Sequence, residues 1–102
     1  MIKYYFIASV SDDENHDSRC WGFFTSKDKA IQAVTENWTD MNEAGYYKYA
    51  VIEPHYEGLI NPIIGEDIWF AAKYDKEKKM CLGYEQCEKP KFAKDFVGWA
   101  IS

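Results

Sequence analysis

The sequence predicts a single α+β domain in which a mostly antiparallel sheet of about five to six strands carries one main helix packed on one face. Residues 2–11 and 46–53 alternate in the way typical of strands. Apolar residues recur at helical spacing between positions 30 and 38. Segments 68–74 and 80–85 flank a charged stretch and outline a hairpin. A chain of 102 residues has the usual length of one domain, 1–102.

The first half of the chain predicts two strands and the helix. Residues 2–11 carry β-formers on both faces, which indicates an interior strand, and the polar residues 12–19 predict an exposed loop. Residues 21–24 predict a short second strand. Residues 25–28 hold a weak capping-box pattern, from which the apolar stripe predicts a helix of about three turns. Segment 37–45 contains Thr39-Asp40 and ends in glycine, which predicts that the helix stops or restarts near residue 40.

The second half predicts the remaining strands and leaves one sheet face open. Residues 46–53 form the clearest strand pattern, which Pro54 is expected to end. Residues 54–67 predict an ordered loop packed on the body, Pro90 is expected to open a helical turn, and 96–101 predict a final short strand. One helix covers one face, so the other requires the 54–67 loop, a second protomer or a partner.

Composition narrows the class of protein. Hydrophobic residues make up 47% and charged residues 28%, ordinary values for a globular domain, whereas 18% aromatic residues exceed what so short a chain easily buries. The net charge of −5 and the single arginine, Arg19, argue against conventional nucleic-acid binding. No signal peptide or membrane span is expected, and three cysteines fit a reducing compartment, so we expect a cytoplasmic protein.

A set of aromatic, small and polar residues is distributed over most of positions 20–101: Trp21-Gly22-Phe23-Phe24, Ala30, Ala33-Val34, Asn37, Asp40, Glu43, the strand 46–53, Glu57-Gly58-Leu59, Trp69-Phe70 and Glu88-Lys89-Pro90. With these residues the chain resembles an uncharacterised family of small proteins from Gram-positive bacteria and their phages. No activity and no site residues come with it. The resemblance implies a context only: phage-borne proteins of this kind are often accessory factors that interfere with host systems.

Aromatic residues on neighbouring predicted strands supply the main candidate binding site. Because strand side chains alternate between faces, one set should be core and the other could stack on a nucleobase or anchor a protein. Two lysines nearby would suit a small anionic nucleotide. The candidate ligand- or partner-binding residues are Tyr47, Tyr49, Trp69, Tyr74, Tyr84, Lys48 and Lys73. The alternative is cross-strand aromatic packing beneath a loop or a dimer mate.

Metal and catalytic sites receive weaker support from the sequence. His16, Cys20, Cys81 and Cys87 could supply four zinc ligands, although neither half has the common C-x2-C spacing. The alternative is three buried or semi-buried thiols and a solvated loop histidine. His55 could activate Cys20 or Cys81, but nothing local supports such a pair, and a surface loop position is expected for it. We therefore predict no metal, no cofactor and no catalytic residues.

Three functions follow, in order of preference. The first is a non-catalytic interaction protein, a phage or mobile-element accessory factor that inhibits a host defence protein by direct binding. The second is a small-ligand binding protein that captures a nucleotide signal in an aromatic pocket. The third is a small enzyme. A homodimer is compatible with each, because the open sheet face requires burial.

Overall fold

The computed structural model describes residues 2–11, 17–57, 66–77, 80–93 and 99. These residues form the strands β1 (Lys3–Val10), β2 (Ser18–Phe24), β3 (Tyr49–Tyr56), β4 (Ile68–Tyr74) and β5 (Cys81–Cys87), the helix α1 (Lys27–Thr35) and two short 3₁₀ turns, Trp38–Asp40 and Lys91–Ala93. The strand order is β2-β1-β3-β4-β5, and every pairing is antiparallel. The predicted α+β fold with an antiparallel sheet and one main helix is confirmed.

Helix α1 begins where the capping pattern predicts and ends earlier than expected. The Ser26 hydroxyl oxygen accepts a hydrogen bond from the backbone N–H of Lys29 at 3.3 Å. The helix stops at Thr35, because Asn37 adopts the left-handed conformation with φ of 52°, which a right-handed helix cannot continue through. Trp38, predicted on the helical stripe, therefore lies in a separate 3₁₀ turn.

Strand β3 differs from the prediction at both ends. It begins at Tyr49 rather than residue 46, and it continues through Pro54 to Tyr56. Proline lacks the N–H that a central strand position needs. Strand β4 pairs with β3 only as far as Ile52, so among the described residues the β4 side of β3 is open at Pro54 and the missing donor leaves no ladder bond unmade.

Helix α1 covers the first face of the sheet. Its buried Ala30, Ala33 and Val34 pack on a core drawn from four strands and the segment after the helix. The buried residues they meet are Ile7, Met41, Ala50, Ile52, Phe70 and Tyr84. The helix end approaches β5 so closely that a Cβ on Gly83 would lie 2.0 Å from the carbonyl oxygen of Thr35.

The second face is covered by residues near the C-terminal end of the chain, a cover that the sequence did not predict. Buried Ala93 and Trp99 pack on the central strands, with Phe92 alongside. The strand residues beneath them are Ala8, Val10, Val51 and Trp69. The described cover of this part of the face thus comes from these residues, which differs from the expected cover by the 54–67 loop, a second protomer or a partner.

Several predicted elements lie outside the described residues. They are most of the 12–19 loop, positions 58–65 of the 54–67 loop, and the final strand 96–101 apart from Trp99. The described end of the polar loop is already strand, since β2 begins at Ser18 instead of residue 21. Among the described residues, no helix has the length and apolar character needed to cross a membrane.

Candidate functional site

The predicted binding residues separate into buried and exposed sets. Trp69 is 2% exposed, Tyr84 1% and Tyr47 8%, so these three rings are out of reach of a partner. Tyr49 is half-buried. The exposed members are Tyr74, Lys48 and Lys73, and their role in binding stays a prediction.

Trp69 and Tyr49 serve packing on the second face. The Trp69 ring meets the Trp99 ring edge to face, with centroids 5.7 Å apart, and Tyr49 meets Phe92 at 5.4 Å. Such geometry is favourable for aromatic pairs and adds to the burial of their area. For these two residues the packing alternative describes what is observed.

Tyr47, Tyr74 and Tyr84 instead meet around Asn42, a residue that the sequence did not single out. Asn42 is buried, and its side-chain amide donates to the Tyr47 carbonyl oxygen at 2.8 Å and to the Tyr74 hydroxyl at 3.1 Å. Its side-chain oxygen accepts from the Gly45 backbone N–H at 2.7 Å. The Tyr84 hydroxyl donates to the same Tyr47 carbonyl at 2.7 Å. These bonds fix the segment between α1 and β3, named here the 37–47 turn.

Burial keeps the two inner phenols of this network protonated. Desolvation raises the pKa of Tyr84 well above its ordinary value of 10.0, and it raises the pKa of Tyr47 in the same direction. A phenol that retains its proton remains a donor, so the Tyr84 hydroxyl holds the Tyr47 carbonyl throughout the neutral range. The base of the 37–47 turn is thus a fixed platform.

The backbone of the 37–47 turn is strained. Five non-glycine residues have positive φ, with values from 48° to 57°: Asn37, Thr39, Asp40, Glu43 and Ala44. Asparagine and aspartate tolerate this region, but a β-branched residue such as Thr39 does so at greater cost. Conformations of this kind cost about 1–3 kcal/mol each and persist where surrounding contacts determine them, frequently at functional sites.

A cavity of about 410 Å³ lies between this turn and the start of β5. Its described lining is Asn37, Asp40, Asn42, Ala44, Gly45, Met80 and Cys81. Large apolar side chains are exposed on the neighbouring hairpin: Met80 is 61% exposed, Leu82 60% and Tyr74 40%. We name the cavity and these three side chains the turn–hairpin surface.

Hydrogen-bond donors of the 37–47 turn are largely engaged within the protein. The backbone N–H groups that have internal acceptors are those of Asn37, Asp40, Asn42, Glu43, Gly45, Tyr46 and Tyr47. A turn with left-handed residues can bind an anion when several of its backbone N–H groups are unpaired and point to one place. In the 37–47 turn most backbone N–H groups donate to acceptors within the protein instead. The Asn37 side-chain amide also donates to the Asp40 carboxylate, at 3.3 Å. The cavity therefore presents chiefly acceptors, with one carboxylate among its described lining.

The sheet order separates the residues of the hypothetical zinc site. Cys20 lies on β2 at one edge, while Cys81 and Cys87 lie on β5 at the other, roughly 19 Å away across three intervening strands. One metal ion cannot be bound by all three. His16 lies outside the described residues. Within the described part of the chain, no group of three or more His, Cys, Asp or Glu residues is arranged to hold a metal ion.

His55 is not a surface loop residue, as the sequence suggested, but lies on β3 and is 1% exposed. On the shared neighbour β1, His55 is paired with Tyr4, whereas Cys20 is paired with Ala8. Four residues along β1 and two strand spacings across the sheet thus separate the histidine from Cys20, and Cys81 lies on the far edge strand. Neither proposed Cys–His pair is formed.

The lysines of the nucleotide hypothesis do not line any cavity described here. The three cavities contain neither Lys48 nor Lys73. One of them, about 580 Å³, is an open depression lined by Lys3 and Tyr56, and another, about 190 Å³, is lined by Trp38 and mostly apolar residues. The aromatic pocket with adjacent lysines, expected for a nucleotide, therefore stays a prediction.

No protein-family model matches this chain, and comparison with curated proteins and with solved structures likewise returned no match. The functional interpretation therefore depends on the geometry of the chain itself.

The sequence contains one signal for this site beyond the predicted end of the helix. Segment 37–45 concentrates Asn, Asp and Gly, the residues that tolerate left-handed conformations. A cluster of turn formers that long indicates a structured turn rather than a simple stop.

Proposed function

We propose that this protein is a non-catalytic protein-binding domain that docks its partner on the turn–hairpin surface. The observation that carries the proposal is a fixed, strained turn that shares a cavity with exposed Met80, two residues before exposed Leu82. Strain held by a buried hydrogen-bond network fits a surface whose shape is set before binding. Exposed apolar side chains next to a shaped cavity are suitable anchors for a protein partner.

The edges of the sheet favour docking by side chains over the addition of a strand. Both edge strands contain a β-bulge, one placing the extra residue Trp21 in β2 and the other placing Leu82 in β5. Bulges interrupt regular pairing and are a common protection of sheet edges. Leu82 is thus both an obstacle to an incoming strand and an exposed apolar contact.

The net charge of −5 favours a basic partner, since charge complementarity accelerates encounter and suppresses wrong partners. If the resemblance to small phage and bacterial proteins extends to function, that partner is a host protein and binding inhibits it. The host protein as the partner and its inhibition are parts of the proposal.

A matched pair of variants tests the proposal. The double variant Met80→Ala/Leu82→Ala removes the exposed anchors, and Phe23→Ala removes an aromatic ring that is 53% exposed on β2, outside the surface. Tagged wild type and both variants are used to purify binding proteins from a host lysate, and any protein enriched by the wild type is then produced pure for titration calorimetry. We expect the double variant to weaken binding at least about tenfold and Phe23→Ala to leave it unchanged.

Thermal melting of the three proteins provides the control, because truncation of exposed side chains should leave the melting temperature within a few degrees of wild type. Equal binding by wild type and the double variant, at equal stability, would reject the turn–hairpin surface as the docking site.

A further inference from the structure

The cavity of the turn–hairpin surface has a chemical preference that can be derived from its lining. Its volume of about 410 Å³ lies within the range of ligand pockets, which is about 300–1,000 Å³. Met80, Ala44 and Cys81 supply apolar walls, and Asp40 supplies the single charge among the described lining residues. Methionine adapts well to an aliphatic chain because its thioether side chain is unbranched and flexible.

The amides of the lining are already committed to the protein. Asn42 donates to the Tyr47 carbonyl and the Tyr74 hydroxyl and accepts from Gly45, so its functional groups are occupied. Asn37 accepts from the Asn42 backbone N–H at 3.0 Å and donates to Asp40. The Asp40 carboxylate, with two oxygens and several acceptor positions, retains capacity after that one bond. An occupant that forms hydrogen bonds here must therefore donate them.

We infer that this cavity binds a basic side chain, lysine or arginine, presented by the protein partner. The cationic head pairs with the Asp40 carboxylate, and the aliphatic stem packs along Met80 and Ala44. A carboxylate or phosphate occupant is disfavoured, because it would meet a like charge and a backbone whose N–H groups are largely engaged. This inference rests on the proposed function, since it names the chemical group that the partner inserts.

Small mimics of the two side chains test the inference without knowledge of the partner. n-Butylammonium and n-butylguanidinium are titrated into the ¹⁵N-labelled protein, with n-butanol and butyrate as neutral and anionic controls. We expect the two cations to shift amide resonances of residues 37–45 and 80–81 with a millimolar Kd, and the controls to shift them much less. Shifts of equal size with n-butanol, or shifts confined to other residues, would overturn the inference.

Two isosteric variants separate Asp40 from its neighbours. Asp40→Asn removes the charge at a position with φ of 52°, a conformation that asparagine tolerates, so the turn should keep its fold. Glu43→Gln removes a carboxylate that pairs with Arg19 and does not line the cavity. We expect Asp40→Asn to weaken binding of the cations by about tenfold or more and Glu43→Gln to leave it nearly unchanged.

The same variants distinguish a failure of this inference from a failure of the proposed function. Partner binding that is lost in Met80→Ala/Leu82→Ala but unchanged in Asp40→Asn would overturn the basic side chain and leave the docking surface intact. The opposite result is cation binding that depends on Asp40, together with partner binding that does not change in Met80→Ala/Leu82→Ala. It would support the basic side chain in the cavity and reject the proposed function.

Discussion

The two faces of the sheet are both buried, but they handle polar groups in opposite ways. Under the helix, the buried Asn42 amide and the Tyr84 hydroxyl each form hydrogen bonds of 2.7–3.1 Å. On the second face, His55 is as deeply buried, yet neither ring nitrogen has a hydrogen-bond partner among the described residues. Its Nε2 lies 4.0 Å from the nearer Glu53 oxygen, and its ring packs edge to face on Phe6 at 5.0 Å.

This difference separates two kinds of core. On the helix-covered face, the hydrogen bonds of Asn42 and Tyr84 fix the backbone of the 37–47 turn. These bonds therefore contribute to the shape of the turn–hairpin surface. The second face is dominated by aromatic rings, and there the Trp99 backbone N–H of the cover donates to the Glu53 carboxylate of the strand at 2.9 Å. The contrast teaches that the helix-covered side specifies the candidate site, whereas the other side supplies burial.

The largest effect is expected where the helix meets the sheet. Gly83→Ala places a Cβ 2.0 Å from the Thr35 carbonyl oxygen, at a position with φ of +113°. Both the clash and the backbone strain should lower the free energy of unfolding, by at least about 3 kcal/mol in urea denaturation.

Gly22→Ala is the matched control for this change. Gly22 also has a positive φ, +134°, but nothing lies within 4 Å of its ideal Cβ. The loss of stability in Gly22→Ala should therefore come from backbone strain alone and amount to about 1–2 kcal/mol. Equal losses in the two variants would show that the close approach of α1 to β5 does not constrain the fold.

The network under the 37–47 turn is expected to give the next largest effect. Asn42→Ala removes the bond to the buried Tyr47 carbonyl and the part-buried bonds to the Gly45 N–H and the Tyr74 hydroxyl, so stability should fall by about 2–3 kcal/mol. Tyr74→Phe removes only the outer hydroxyl and should cost about 1 kcal/mol or less. Amide hydrogen exchange of residues 37–47 should accelerate in Asn42→Ala alone, and unchanged exchange there would contradict the role assigned to Asn42.

The smallest effect is expected on the second face. His55→Phe replaces an imidazole that makes no described hydrogen bond with a ring suited to its aromatic neighbours, so stability should stay within about 1 kcal/mol of wild type. Denaturation in urea, with near-ultraviolet circular dichroism to monitor packing, measures it. A loss of about 3 kcal/mol or more would be typical of a broken buried ion pair and would mean that His55 and Glu53 act as charged partners.

Local patterns in the sequence were sufficient for the fold class. Alternation predicted β1, and two strand patterns around charged residues 75–79 predicted the pair β4 and β5. The capping pattern of residues 25–28 predicted the region where α1 starts, although the N-cap is Ser26 and not the Thr25 that stands three residues before Asp28. These features depend on residues a few positions apart, where propensity and periodicity act directly. The predicted strand ends were wrong where a neighbouring strand decides them. Strand β3 continues through Pro54 because β4 stops pairing with β3 before that residue.

The candidate site was only partly accessible to the same reasoning. Tyr47, Tyr74 and Tyr84 were selected as contact residues for a partner, yet two are buried and all three support Asn42. Met80, Asp40 and Asn42 were not selected, because nothing in their immediate sequence shows that a turn and a hairpin meet. A cavity between two distant segments has no local signature.

The sequence by itself determined the order of the elements, the antiparallel sheet, the helix start and a content of aromatic residues sufficient for a core. Tertiary structure decided which aromatic rings are buried, what covers the second face and where a strained turn meets exposed Met80. The physical reason is the separation of the partners: the Tyr84 hydroxyl reaches a carbonyl 37 residues away, and Asn42 reaches a phenol 32 residues away. Such contacts exist only after the chain has folded, because burial is a property of the packed molecule and not of any single segment.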